Sequence, residues 1–142
     1  MQKLMGTVLC CILLISAHTA LGEQRVEVKH FLFELQNCKL AEQIVICDFM
    51  VTSKGQDREL TILGNAGSRI FDDMGNEFKA SNVMMGNALD TDWVTDRLVS
   101  NIPVKARLVF ENVYSQPKLL SMLEIVFDGL RAQFRNIPII AK

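Results

Sequence analysis

Apolar and polar residues alternate along most of the chain, and this period of two restricts its fold more than any other feature. In the segment 104–111, Val104, Ala106, Leu108 and Phe110 share one parity, and the other parity carries a lysine and an arginine. Successive side chains of a β-strand point to opposite faces, so this pattern is typical of a strand buried on one face. Similar alternation occurs at 45–51, 60–62 and 78–80, and Ile70 marks a further short strand. The pattern predicts an all-β chain.

The first predicted strand, residues 26–35, changes phase in its middle. Val26 and Val28 have one parity, whereas Phe31 and Phe33 have the other. One extra residue in a strand restores its buried face, so we expect a β-bulge near Lys29 and His30.

Turn signals separate the predicted strands. Gly-Asn pairs stand at 64–65, 75–76 and 86–87, at intervals that suit antiparallel strands joined by short turns. Glycine and asparagine tolerate the positive φ that such turns require, so we interpret these pairs as turns and not as a repeated ligand motif.

The C-terminal third is compatible with two structures. Its leucines and phenylalanines from Leu119 to Phe134 share one face of a helical wheel, and Ser115 and Pro117 precede them as a possible helix start. The alternation at 123–127, the Asp-Gly pair at 128–129 and the apolar segment 137–140 instead favour a hairpin and an edge strand. We favour strands over a helix in this segment.

The N-terminus has the parts of a secretory signal peptide. Lys3 provides a positive charge, residues 8–15 are all apolar, and Ala20 and Gly22 form a small-x-small cleavage site. An apolar run this short does not reach the roughly 20 residues of a membrane-spanning helix, so a retained anchor is the weaker reading. We predict a signal peptide at 1–22, a single domain at 23–142, and no integral membrane span after cleavage.

Charge composition argues against two classes of partner. The 15 Lys+Arg and 16 Asp+Glu residues give a formal net charge of −1. Nucleic acids and anionic membrane surfaces both select for a concentrated excess of basic residues, so neither is expected as the main partner.

Cys38 and Cys47 remain after the predicted cleavage, and we expect them to form a disulfide. Matching the apolar faces of the first two strands pairs Phe33 with Val51, which leaves the two cysteines one position out of register. A bulge at residues 36–38 sets them opposite each other within bridging distance. The alternative is a pair of reduced thiols buried as small apolar residues.

Few residues suit catalysis or metal binding. His30 is the one histidine after cleavage, so histidine and cysteine cannot supply a conventional zinc site, and no cofactor or metal is predicted. Asp90, Asp92 and Asp96 form an acidic cluster without the spacing of a calcium loop. We interpret them as solvated turn residues; the alternative is a small secreted hydrolase or metal-dependent enzyme that uses this cluster with His30.

Trp93, Met84 and Met85 are the candidate binding residues. Trp93 stands in a polar stretch, where an indole either covers the end of the core or stays exposed as a recognition anchor. The methionines have the same ambiguity, since their flexible side chains fill gaps in cores and also line adaptable surfaces.

Several stretches resemble small exported bacterial domains with an immunoglobulin-like β-sandwich, including those of the mycobacterial immunoprotective-antigen type. The stretches are FELQNC at 33–38, ICDFMVT at 46–52, SRIFDDMGNEF at 68–78, IPVKARLVFE at 102–111 and FRNIP at 134–138. The resemblance implies an antiparallel sandwich of seven or eight strands, with Asp73, Gly75 and Asn76 in a turn, and it favours strands in the C-terminal third. It carries over no catalytic residue.

We expect the inner faces of this sandwich to be filled by large apolar side chains. They are Phe31, Phe33, Val45, Phe49, Val51, Ile70, Phe78, Leu108, Phe110, Leu123 and Phe127.

These observations together favour an exported, non-enzymatic binding module of the bacterial cell envelope. Its expected partner is another envelope or extracellular protein, bound through loops, through an exposed sheet edge, or through an aromatic anchor such as Trp93.

Overall fold

The computed structural model describes residues 24–141, so the predicted signal peptide lies outside the described residues. These residues form twelve β-strands. They are β1 (Gln24–Val28), β2 (Phe31–Ala41), β3 (Ile44–Ser53), β4 (Arg58–Leu63), β5 (Arg69–Asp72), β6 (Glu77–Lys79), β7 (Asn82–Met85), β8 (Ala88–Asp90), β9 (Trp93–Leu98), β10 (Val104–Phe110), β11 (Leu119–Phe127) and β12 (Leu130–Ala141). The all-β prediction is confirmed.

The strands build one mixed, strongly curled sheet in the shape of a half-barrel. The main path runs β6-β5-β11-β12-β2-β3-β10-β7-β8; β1 pairs with β2, and β4 links β11 to β9. The predicted immunoglobulin-like sandwich of seven or eight strands is therefore wrong. The reason is β12, which pairs antiparallel with β11 up to Pro138 and then parallel with β2 at Ile139–Ala141, so hydrogen bonding continues where a sandwich has two separate sheets.

The core fills the concave side of the curled sheet. All eleven side chains predicted to face inward are buried, each with 8% exposure or less. At its centre the rings of Phe33 and Phe127 lie 4.7 Å apart, and the Phe31 ring meets Phe127 edge-on at 5.8 Å. Alternation therefore identified the buried face correctly, although the arrangement of the strands differs from the expected one.

The phase change near Lys29 and His30 is a hairpin turn and not the predicted bulge. Val28 pairs with Phe31, and Lys29 adopts a φ of 52° between them. Residues that flank a two-residue turn face the same side, so a tight hairpin produces the same change of parity as a bulge. The predicted first strand is thus two strands, β1 and β2.

The second predicted bulge and the disulfide are both confirmed. The β2–β3 register shifts between Leu35 and Asn37, and Cys38 then lies opposite Cys47. The bridged residues have a Cα–Cα distance of 4.1 Å, and both are completely buried. The disulfide therefore cross-links neighbouring strands inside the core.

The C-terminal third is a β-hairpin, as favoured, and not a helix. Asp128 and Gly129 have φ of 44° and 72°, the conformation of a tight two-residue turn between β11 and β12. Leu120 and Leu123 are both buried although they are three positions apart, because the register between β11 and β5 shifts between Leu120 and Met122. Buried residues three positions apart also occur on one face of a helix. A local irregularity in a strand thus imitated helical periodicity.

Replacing both Cys38 and Cys47 with alanine is expected to lower the free energy of unfolding by about 2–3 kcal/mol, because the bridge closes a short loop in the unfolded chain. Urea titration of the variant and the oxidised parent measures the difference. The parent treated with reductant serves as the control and should approach the variant. Two titratable thiols in unfolded, unreduced protein would contradict the disulfide.

Candidate functional site

Trp93 is a surface residue. It is the first residue of β9, pairs with Leu63 of β4, and is 55% exposed. Among the described residues, β4 is the one strand that pairs with β9, so β9 is an edge of the sheet. Of the two roles open to this indole, the exposed position fits a recognition anchor better than a cover of the core.

The two methionines lie on opposite faces of β7. Met85 is completely buried in the core, so its side chain is not offered at the surface. Met84 is half-buried on the outer face, where it pairs with Leu89 of β8. Leu89 is 62% exposed, and its apolar surface was not singled out from the sequence. The outer face of β7 and β8 therefore offers Met84 and Leu89 together.

Asp90 and Asp92 lie at the end of β8 and in the turn after it, whereas Asp96 lies within β9 and is half-buried, so the interpretation as solvated turn residues is wrong for Asp96. Asp90 accepts a hydrogen bond from the backbone N–H of Asp92, and Asp96 accepts one from the N–H of Arg97. His30 is exposed in the β1–β2 turn. Within residues 24–141, no three His, Cys, Asp or Glu side chains are grouped so that they could hold a metal ion. The structure thus does not gather His30 and the three aspartates into one metal-binding group.

Asp73, Gly75 and Asn76 lie in the turn between β5 and β6, as the resemblance implies. Asp72, the last residue of β5, organises this turn. Its carboxylate accepts hydrogen bonds from the N–H groups of Met74 and Asn76 and from the Asn76 side chain, at 2.8–3.0 Å. Burial by itself raises the pKa of Asp72, but these hydrogen bonds favour the ionised form and hold its pKa below the ordinary value. Asp73 is exposed.

A buried glutamate with two arginines lies on the outer face of β5, β11 and β12. The Glu124 side chain is only 1% exposed; its Oε2 lies 3.4 Å from Arg69 and its Oε1 lies 2.7 Å from Arg131. Arg69 also pairs with Glu77 at 3.1 Å, and its guanidinium lies 5.0 Å from the centre of the Phe71 ring. The hydrogen bond to Glu77 raises the pKa of Arg69 against the opposing effect of burial.

Sequence reasoning missed this cluster because its members are far apart in the chain. Arg69 and Glu124 meet through the β5–β11 register. The sequence signal for this cluster is Glu124 itself, a charged residue within the apolar segment 122–127. A buried carboxylate requires a partner that neutralises it, so its position predicts a nearby cation.

These side chains border a shallow pocket of about 290 Å³. The β4–β5 loop forms one wall, Val126 lies in the lining, and Lys79 adds a third cation beside Arg69 and Arg131. We call this the cationic pocket. A wider groove of about 590 Å³ lies at the β2–β3 turn, where Glu42 and Glu111 are in its lining.

Leu63 connects the cationic pocket to Trp93. It is the direct cross-strand neighbour of Trp93, so both side chains lie on one face of the β4–β9 pair. A methyl group placed on Gly67 would come within 2.9 Å of Leu63 and 3.2 Å of Val126. Glycine at 67 therefore allows Leu63 and Val126 to pack closely between the indole and the pocket.

Comparison with known proteins adds no family to this description: no protein-family model matches the chain, and no curated protein sequence matches it. No helix that is long and apolar enough to cross a membrane occurs in the part of the chain that the structure describes.

Replacing Asp72 with asparagine is expected to destabilise the protein at neutral pH and to flatten its acid sensitivity. Because the folded pKa is lowered, the stabilisation by Asp72 is complete above its unfolded value of about 3.9 and is lost as the pH falls through the folded pKa. The difference in unfolding free energy between parent and variant should shrink as urea titrations move from pH 6 to pH 2. Asp73→Asn is the matched control, since Asp73 accepts none of these hydrogen bonds; a pH-independent difference for Asp72→Asn would refute the explanation.

Replacing Trp93 with alanine is expected to change the free energy of unfolding by less than about 1 kcal/mol, since the side chain is more than half exposed. Leu98→Ala in the same strand removes a completely buried side chain and should cost about 2–5 kcal/mol. Equal losses for the two variants in urea titrations would show that Trp93 is part of the core.

Proposed function

We propose that this protein is an exported, non-enzymatic binding module of the bacterial cell envelope, and that it recognises another envelope or extracellular protein through Trp93. The observation that carries the proposal is the 55% exposure of this indole at the start of an edge strand. Tryptophan is enriched among the residues that dominate binding energy at protein interfaces, because a large rigid ring loses little conformational entropy when it is buried.

The surroundings of Trp93 support an interface over an isolated exposed side chain. Leu63 lies beside it on β4. The charged side chain of Arg97 lies on β9, the same strand as Trp93, two residues beyond the exposed Thr95. Apolar anchors bordered by charged groups are typical of protein-binding surfaces.

Contact through side chains is favoured over the addition of a strand to β9. The backbone N–H of Arg97 is occupied by a 2.8 Å hydrogen bond to the neighbouring Asp96 carboxylate. A charge on an edge strand that engages its own backbone is one way in which proteins block edge-to-edge pairing. Another strand is therefore less able to pair with the C-terminal end of β9. Trp93 lies at the opposite end of this strand.

The disulfide supports the exported location. Cys38 and Cys47 form a completely buried bridge, and such structural disulfides persist in oxidising compartments outside the cytoplasm. The signal peptide proposed for residues 1–22 supplies the route, to the periplasm or the exterior.

The test is photocrosslinking in cells that export the protein. A photoreactive amino acid replaces Trp93 in one variant and Lys105, an exposed residue of β10, in the matched control. Illumination should give a discrete protein adduct from position 93 and none from position 105. Deletion of residues 1–22 should abolish that adduct.

Three outcomes would defeat the proposal. They are no adduct at position 93, the same adducts from both positions, or an adduct that persists without the leader. An adduct with twice the mass of the protein would show that Trp93 contacts a second copy of this chain and not an envelope protein.

A further inference from the structure

We infer that the cationic pocket binds a single small anionic group, a carboxylate or a phosphate. This inference stands on the geometry of the pocket and does not depend on the function proposed for Trp93. The pocket is lined by three cations, Arg69, Lys79 and Arg131, and by the two carboxylates of Glu77 and Glu124.

The two carboxylates are already engaged by arginines. Arg69 pairs with both Glu77 and Glu124, and Arg131 pairs with Glu124. Within the described residues Lys79 has no ion-pair partner, and the Arg131 side chain is 60% exposed. The pocket therefore has an excess of positive charge, and the cations that carry it are accessible to a ligand.

Because Glu124 is buried, its negative charge lies beneath the positive charges that face solvent. Its side chain is only 1% exposed, and Oε1 has almost no contact with solvent. A ligand at the mouth of the pocket thus meets the exposed side of Arg131 and Lys79, while the glutamate lies behind them.

The arginines are also held in place before a ligand arrives. Arg69 is fixed by its two glutamates and by the ring of Phe71. Arg131 forms an ion pair of 2.7 Å with Glu124 Oε1, although this oxygen accepts no hydrogen bond among the described residues. Side chains that are already ordered lose less entropy on binding, which favours affinity for a small group.

The lining of the pocket suits the charged end of a larger molecule. A volume of about 290 Å³ has room for more than a single carboxylate or phosphate, and Val126 and Gly67 give the same space an apolar wall. Arg69 already donates through Nε and both Nη atoms to Glu77 and Glu124. The exposed Arg131 guanidinium and the Lys79 ammonium are therefore the groups left to donate to carboxylate or phosphate oxygens. The expected ligand is therefore the terminal anionic group of a larger molecule.

Titration followed by nuclear magnetic resonance tests the inference. The nitrogen-15-labelled exported protein is titrated with sodium phosphate, and separately with sodium acetate, against sodium chloride at matched ionic strength. Saturable shifts are expected at the amides of Gly67, Arg69, Lys79 and Arg131 with phosphate, with acetate or with both, and the pattern identifies which anion the pocket takes.

Lys79→Gln is the decisive variant, because Lys79 makes no ion pair within residues 24–141 whose loss would disturb the fold. It should weaken binding about tenfold, the usual effect of losing one charged hydrogen-bond donor. Lys105→Gln, which removes the same charge from an exposed position on β10 outside the pocket, should leave binding unchanged.

Two results would overturn the inference. One is the absence of saturable shifts with both phosphate and acetate; the other is equal binding by the parent and the Lys79→Gln protein. Trp93→Ala should retain anion binding, so that failure of the pocket and failure of the Trp93 interface can be told apart.

Discussion

The pairing of β12 with two different strands holds this fold together. Its first part continues the antiparallel hairpin with β11, and its last residues, Ile139–Ala141, form a parallel ladder with β2. Backbone groups at the junction are therefore satisfied by strands from both halves of the chain. The curled sheet that results closes on one core, in which Phe33 of β2 meets Phe127 of β11 at 4.7 Å.

The same curvature places the two proposed sites on neighbouring parts of the outer surface. Leu63 lies between them, opposite Trp93 on one side and close to Gly67 and Val126 on the other. A partner that presents an acidic group next to an apolar one would engage both sites at once. Two weak contacts made by one molecule reinforce each other, because the second forms at high effective concentration.

Much of the local structure was predictable because it depends on residue parity. Parity identified the buried face of each long strand, and the mismatch between Cys38 and Cys47 correctly predicted both the bulge and the disulfide. Parity gave a wrong prediction where two different structures produce the same pattern. A hairpin turn and a bulge change parity in the same way, which is why Lys29 and His30 were assigned to the wrong one. Asp73 lies in the β5–β6 turn as expected, but composition does not show that the neighbouring Asp72 accepts the hydrogen bonds of that turn.

What the sequence by itself determined was the β class, the inward-facing side chains and the pairing of Cys38 with Cys47, because these depend on interactions between near neighbours. The tertiary structure alone decided that β12 joins β2, that Trp93 lies on an edge strand, and that Glu124 is buried between Arg69 and Arg131. These features depend on pairing between strands far apart in the chain. Alternation specifies which face of a strand is buried, but many strand orders satisfy that requirement equally well.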